Sequence, residues 1–177
     1  MEKLKSKKSA LDDLDALFQL PLTEFTAAPN SLAARLKKAG DPEAAERVKS
    51  LTKPSVAAWA VNQLFWKHRI AFDRLLDAGE RFRKAQTAQL AGKSADLRAP
   101  LEARRAALSE LSAHAARQLA GAGNAAAPDT MRRITTTLEA LSAYGSLAEG
   151  PRAGRLTDDV DPPGFETLAS LVPRLGG

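Results

Sequence analysis

The sequence contains no cysteine, so disulfide bonds, thiolate metal sites and cysteine nucleophiles are all excluded. Aromatic residues make up only 5% of the chain, and isoleucine and valine are scarce beside alanine and leucine. Alanine, leucine, arginine and glutamate lose little conformational freedom in a helix, whereas strands favour β-branched and aromatic side chains. The composition therefore predicts an all-α protein, a helical bundle.

Long uninterrupted apolar runs are also missing. No stretch approaches the roughly 18 apolar residues of a transmembrane helix. The basic opening of the chain is followed by acidic residues instead of the apolar core of a signal peptide. We therefore expect a soluble, cytoplasmic protein without a membrane partner. The 177 residues suffice for one domain with its own core.

The net charge of +5 is concentrated at the start of the chain. Four of the first eight residues are lysine and one is glutamate, so the remainder carries about +2 (5 − 4 + 1). We predict that residues 1–8 form a flexible basic tail and that residues 9–145 form the helical bundle. Residues 146–177 are predicted to form a C-terminal wrap rich in glycine and proline, with a short helix from Pro162 to Leu171 packed on the bundle.

Capping residues and prolines predict where the first helices begin. Ser9 is expected to cap the first helix, and Asp41 another whose first turn holds a proline and a glutamate. Pro29 leaves two alternatives for the helix between them. Either Thr26 caps a helix with the proline in its first turn, or one kinked helix runs from Leu22.

The central stretch, Leu51–Arg69, holds both tryptophans and an asparagine within an apolar run. Because a residue before proline avoids the helical conformation, the next helix should open just after it, at Pro54 or Ser55. Trp59 is expected to lie in the core and Trp66 at the surface. Asn62 is interpreted either as a buried amide that fixes the packing or as a contact to a base or phosphate beside stacking aromatics.

The pattern that follows predicts two long helices. From Ile70 apolar residues recur every three or four positions up to Gly92, and a matching pattern follows that glycine. The spacing predicts an antiparallel coiled-coil hairpin folded about Gly92. In this arrangement Glu80 and Arg105 both occupy e positions, which face each other in antiparallel coils. We therefore predict an ion pair between Glu80 and Arg105.

No linear motif for catalysis or metal binding is present. The chain has no nucleophile elbow, no HExxH and no phosphate-binding loop. His68 and His114 lie on different predicted helices without carboxylates at ligand spacing. The run of Asp158, Asp159 and Asp161 does not meet the spacing of a calcium-binding loop. We predict no cofactor, no metal and no enzymatic activity.

The candidate binding residues are therefore basic. Six cations on the predicted helix surfaces are candidate nucleic-acid contacts: Lys67, Arg69, Arg83, Lys84, Arg132 and Arg133. Neutralisation of phosphates by such side chains would supply affinity with a steep salt dependence. We predict a non-enzymatic binding protein that associates with nucleic acid, DNA in the first instance, through these surfaces and the lysine tail. The alternative is a protein–protein interaction module or a homodimerising helical scaffold.

Each hypothesis has a structural consequence. Nucleic-acid binding predicts that the four least compensated cations, Arg83, Lys84, Arg132 and Arg133, share one face. An interaction module predicts an exposed apolar patch of several hundred Å². An enzyme would require a deep pocket with converging polar groups.

One segment resembles a group of bacterial all-helical proteins with no established activity. The shared pattern K-P-S-x-x-A-W-x-x-N is matched by Lys53, Pro54, Ser55, Ala58, Trp59 and Asn62. The similarity covers residues 25–64, and Asp161–Leu168 is similar to a downstream element of the same group. The resemblance implies a helical fold and brings no catalytic residues. Pro29 departs from the group pattern, in which a basic residue continues a helix.

Overall fold

The computed structural model describes residues 2–145 and 150–164, and every regular element in these ranges is helical. The α-helices are α1 (Glu2–Leu17), α2 (Ala27–Lys38), α3 (Pro42–Lys49), α4 (Val56–Lys67), α5 (Arg69–Leu90), α6 (Arg98–Gly121) and α7 (Pro128–Tyr144). The all-α prediction is confirmed. Among the described helices, none has the length and apolar character to cross a membrane. Most of the helix predicted from Pro162 lies outside the described residues.

The helices enclose two hydrophobic cores. Helices α1 to α3, here called the N-terminal unit (residues 2–51), pack around Phe18, Phe25 and Leu32. Helices α4 to α7, here called the four-helix unit (residues 56–144), pack around a larger core that includes Phe72. Aliphatic side chains from all four helices complete this second core: Leu64, Leu75, Leu111, Leu119, Ile134 and Leu138.

The first helix begins at Glu2 and not at Ser9. Residues 2–8, predicted as a flexible tail, are therefore helical instead. The physical reason is local, because lysine, leucine and glutamate are good helix formers and neither glycine nor proline separates them from the rest of α1.

The structure decides between the two alternatives at Pro29 and confirms the predicted cap of α3. Thr26 is the N-cap of α2 and Pro29 lies in the first turn, while Leu22–Glu24 forms a separate 3-10 turn, so the kinked helix is excluded. Asp41 caps α3 because its Oδ1 accepts a hydrogen bond from the backbone N–H of Ala44 at 2.9 Å. These features depend on a few neighbouring residues and therefore follow from the local sequence.

The helix α4 begins just after Pro54, as predicted. Ser55 is its N-cap, and Ser55 Oγ accepts a hydrogen bond from the backbone N–H of Ala58 at 3.1 Å. The same hydroxyl donates to Asp159 Oδ1 at 2.6 Å. Asp159 thus binds a helix cap, which gives one residue of the acidic run a structural role.

Helices α5 and α6 run antiparallel, since Arg74 pairs with Glu110, whereas Gln86 later on α5 lines a cavity with Arg104 earlier on α6. The predicted pair of Glu80 and Arg105 does not form within the described residues. Glu80 Oε1 lies 3.0 Å from Lys84 Nζ on its own helix, and the ion pair that crosses the hairpin joins Arg74 and Glu110 at 3.2 Å. The heptad assignment assumed a two-stranded coil. It fails because α7 also packs on α5 and changes which side of α5 faces α6.

The contact that admits α7 is at Gly79. A Cβ atom built on Gly79 would clash with the backbone carbonyl oxygen and the hydroxyl of Ser142. Only a glycine therefore allows α5 and α7 to approach so closely. Gly79 lies within the stretch from Ile70 to Gly92 whose spacing predicted the hairpin, but it faces α7.

An extended segment, here called the strap (residues 150–164), crosses the four-helix unit beside α4. The fully buried side chain of Asn62 binds one residue of the strap twice. Asn62 Nδ2 donates to the carbonyl of Leu156 and the N–H of Leu156 donates to Asn62 Oδ1, both at 2.8 Å. Trp66 Nε1 donates to the carbonyl of Gly154 at 3.0 Å. Asn62 is therefore a structural amide, and Trp66 is half-buried instead of lying free at the surface.

The bond between Asn62 and the strap leads to a stability prediction. Replacing Asn62 with alanine leaves a buried N–H and a buried C=O of Leu156 without partners, and we expect a loss of roughly 2–4 kcal/mol in the free energy of unfolding. Urea denaturation measures this loss. The exposed Asn30 in α2 supplies the control, since Asn30→Ala should change stability by less than about 0.5 kcal/mol. Equal effects of the two substitutions would contradict the assigned role.

A second prediction concerns the close approach of α5 and α7. Gly79→Ala should destabilise the protein by about 1–3 kcal/mol, because the added methyl group meets Ser142 across the interface. Gly121→Ala is the matched control. Gly121 is also helical but has open space around it, so alanine there should be neutral or stabilising by up to about 1 kcal/mol. Thermal unfolding of both variants would show the difference, and a neutral Gly79→Ala would be inconsistent with this packing.

Candidate ligand-binding cleft

The four least compensated cations fall into two separate groups, one near each end of α7. The Arg83 guanidinium donates to the carbonyls of Ser142 and Ala143 at the C-terminal end of α7. Arg132 and Arg133 lie near the N-terminal end of the same helix. At about 1.5 Å per residue, the ten positions from Arg132 to Ser142 span roughly 15 Å along α7.

These cations are also engaged in local contacts. Arg132 Nη2 and Arg133 Nε lie 2.6 and 2.9 Å from the two carboxylate oxygens of Asp129, and these hydrogen bonds lower the pKa of Asp129. Burial lowers the pKa of Arg83, which interacts with the end of α7. Lys84 pairs with Glu80.

The two remaining candidates occupy the end of α4 and the start of α5. Arg69 Nε lies 2.8 Å from Asp73 Oδ1, and its guanidinium carbon lies 4.1 Å from the centre of the Phe65 ring. Lys67 is exposed and borders a cleft. Of the six predicted contacts, Lys67 is therefore the one that adjoins a concave surface between the two units.

That cleft lies between the N-terminal unit and the four-helix unit and has a volume of about 460 Å³. One wall is the chain between α1 and α2, and the other is formed by α4 and the end of α6. The lining residues are Gln19, Pro21, Leu22, Thr23, Trp59, Gln63, Lys67, Gln118, Gly121, Ala122 and Asn124. Carboxamides, apolar groups and one ammonium group thus meet in the same cleft.

The two units are joined at the cleft by hydrogen bonds from α4. Trp59 Nε1 donates to the carbonyl of Leu20 at 3.0 Å, and Gln63 Nε2 donates to the carbonyl of Phe18 at 2.9 Å. Trp59 is only 6% exposed, so it belongs to the core as expected. The floor of the cleft is therefore held by fixed side chains.

Three amide atoms at the cleft are buried and have no hydrogen-bond partner among the described residues. They are Gln63 Oε1 and both Oε1 and Nε2 of Gln118. Gln63 itself is fully buried. A buried polar atom without a partner costs roughly 1–3 kcal/mol. These two acceptors and one donor lie beneath the surface of the cleft, so a ligand or water would reach them once the side chains that cover them move aside.

Two histidines that the sequence placed on separate helices stack beside this cleft. The ring centres of His68 and His114 are 3.8 Å apart, and the ring planes are inclined by 20°. Arg117 Nη2 lies 2.9 Å from His114 Nδ1. His114 lies one turn before Gln118 on α6, so the stack adjoins the cleft. In the described ranges, no three histidine, aspartate or glutamate side chains converge to hold a metal ion.

The electrostatic environment opposes protonation of His68. Burial lowers the pKa of His68 below the ordinary 6.5, and the charges of His114, Arg117 and Lys67 lower it further. The negative charge of Glu110 raises it. Several positive or protonatable groups therefore lie close together at the edge of the cleft.

The sequence indicated only part of this site. An amide next to Asn62 in an apolar helix is a signal for a second buried polar contact, but Gln63 was not singled out. Gln118 has no local signal, because glutamine is common on helix surfaces. Its place at the cleft depends on the packing of α6 against α4. The residues next to Gln118 in the sequence do not predict this packing.

The lowered pKa of His68 leads to a pH prediction. The unfolded chain takes up a proton near pH 6.5 before the folded chain does, so the contribution of His68 to stability is present above that pH and is lost as the pH falls through the folded-state pKa. The urea midpoint should therefore decrease between about pH 7.5 and about pH 5.5. His68→Phe keeps an aromatic ring in the stack but has no group that takes up a proton. The urea midpoint of this variant should therefore decrease less over the same pH range. An equal decrease in both proteins would contradict the prediction.

The chain was compared with models of protein families, with curated protein sequences and with solved structures, and no significant match was found. The resemblance in the segment from Lys53 to Asn62 therefore stays a prediction. The function must be inferred from the geometry of the cleft and from the placement of its charged and amide groups.

Proposed function

We propose that this protein is a non-enzymatic interaction module whose cleft binds an extended peptide segment of another protein. The observation that carries the proposal is the set of three buried amide atoms of Gln63 and Gln118 without partners. An extended peptide offers N–H donors and C=O acceptors at regular intervals, and these are the groups that would satisfy carboxamides. Sites of this kind occur preferentially between structural units.

The chain already contains one example of this recognition. On the same turn of α4, Asn62 binds the backbone N–H and C=O of Leu156 in the strap with both of its amide atoms. Gln63 next to it uses one amide atom for Phe18 and leaves the other free. A peptide segment in the cleft would donate a hydrogen bond to Gln63 Oε1, as the N–H of Leu156 in the strap donates to Asn62 Oδ1.

Nucleic-acid binding, the first hypothesis from the sequence, has weaker support. Binding of single strands usually requires exposed aromatic rings on which bases stack. Trp59 is buried in the core and Trp66 is covered by the strap. Arg83 and Arg132 lie at opposite ends of α7 and each has a local partner. The hypothesis stays a prediction, and a salt titration with DNA tests it directly.

The experiment for the peptide hypothesis begins with selection from a library of random peptides displayed on phage. Selected peptides are then titrated by fluorescence anisotropy against the wild type and Gln118→Leu. We expect the variant to bind roughly five- to tenfold more weakly, because it loses hydrogen bonds worth about 1 kcal/mol or slightly more. Its stability should be unchanged or higher, since leucine removes two buried unpaired atoms.

The control is Gln86→Leu, which changes an exposed glutamine of α5 away from this cleft. Its affinity for the peptide should equal that of the wild type. If selection yields no peptide, or if Gln118→Leu and Gln86→Leu bind equally well, the proposal is wrong. Duplex DNA binding that weakens steeply with salt would instead support the nucleic-acid hypothesis.

A further inference from the structure

The edge of the cleft where α4, α5 and α6 meet carries a cluster of nitrogen-bearing side chains. We call these four residues the basic rim: Lys67, His68, His114 and Arg117. Lys67 borders the cleft directly, and the stacked histidines connect it with Arg117. On α6, His114 lies one turn before Gln118, one of the amides of the cleft, and Arg117 contacts His114.

Glu110 is the acidic residue that faces this rim. Its Oε1 lies 3.9 Å from His114 Nε2, at the far end from Arg117. Glu110 also interacts with Arg74 of α5, whose Nη1 lies 3.2 Å from Glu110 Oε2. The negative charge of Glu110 is therefore shared, and the rim keeps an excess of positive charge.

We propose that the cleft selects peptides that contain an acidic residue, and that the carboxylate of this residue binds at the basic rim. The inference rests on the proposed function and specifies its ligand. The amides of Gln63 and Gln118 would bind the peptide backbone, while Lys67 and Arg117 would bind the acidic side chain. The hydrogen bonds to the peptide backbone would fix the position of the peptide in the cleft. The complementary charge would select peptides with an acidic residue.

The histidine stack makes this selectivity dependent on pH. The charged groups that face it are Lys67 from α4 and Glu110 and Arg117 from α6. A bound carboxylate would favour the protonated form of His68, because opposite charges stabilise each other. By linkage, acidic peptides should bind more tightly as the pH falls from about 7.5 to about 5.5.

The experiment compares two libraries of short random peptides that differ at one fixed central position. One library carries glutamate there and the other carries glutamine. Binding of each pool to the full chain is measured by anisotropy at low salt. We expect the glutamate pool to bind about fivefold more tightly, as an ion pair near the surface allows. This preference should increase at the lower pH.

The double variant Lys67→Gln/Arg117→Gln tests where the carboxylate binds. Both side chains are exposed, so the variant should fold normally. We expect it to bind the two pools equally, with an affinity for the glutamine pool that matches the wild type. Lys93→Gln, an exposed lysine at the loop between α5 and α6, is the charge-matched control and should keep the preference.

The outcomes separate this inference from the function on which it rests. If both pools bind equally and Gln118→Leu still weakens them, the cleft binds peptides but the acidic selectivity is wrong. A preference that survives the double variant would place the carboxylate elsewhere and overturn the inference. If neither pool binds and selection on phage also yields no peptide, the proposed function fails as well. Displacement of the pool by single-stranded DNA, lost in the double variant, would assign the rim to phosphates instead.

Discussion

The pairing of the Asn62 amide with the backbone of Leu156 is the contact on which the arrangement of this protein depends. An amide at the centre of an apolar helix is costly unless both of its polar atoms have partners. The strap supplies both, and it brings the Leu156 side chain into the larger core. The neighbouring Arg155 then forms an ion pair with Asp15 of α1. One buried amide thus leads to contacts that join the strap to both units.

Helix α4 needs such partners on every side because it is buried almost throughout, from Ala57 to Leu64. Adjacent residues on a helix point about 100° apart, so Asn62 and Gln63 face different neighbours. Asn62 faces the strap and Gln63 faces the end of α1. The helix is therefore the element around which the others pack. Its buried amides bind the backbone of the strap and of the chain after α1, so these non-helical segments can lie against the core.

The parts of the fold that could be predicted from the sequence are those with local causes. The cap at Asp41 and the proline at position 29 act within one helical turn. The cap was predicted correctly, and the proline left two alternatives, of which the structure shows one. The pair of Glu80 and Arg105 was wrong because the heptad assignment considered two helices, whereas α5 also packs against a third helix at Gly79. Gln118 was missed for the same reason, since its role arises only when α6 packs beside α4.

Net charge alone is a poor guide to the surface of this protein. The chain carries +5, which favoured a nucleic-acid partner, yet Arg132 and Arg133 share the carboxylate of Asp129, and Arg83 contacts backbone carbonyls. A cation paired with a carboxylate attracts a distant polyanion only weakly. The two opposite charges largely cancel, and salt screens what remains beyond a Debye length of about 10 Å. What matters for recognition is where positive charge remains beside unsatisfied polar groups. At the cleft the ammonium group of Lys67 and the buried amides occur together, and that combination favours a short ligand with both a backbone and a carboxylate over a uniform phosphate chain.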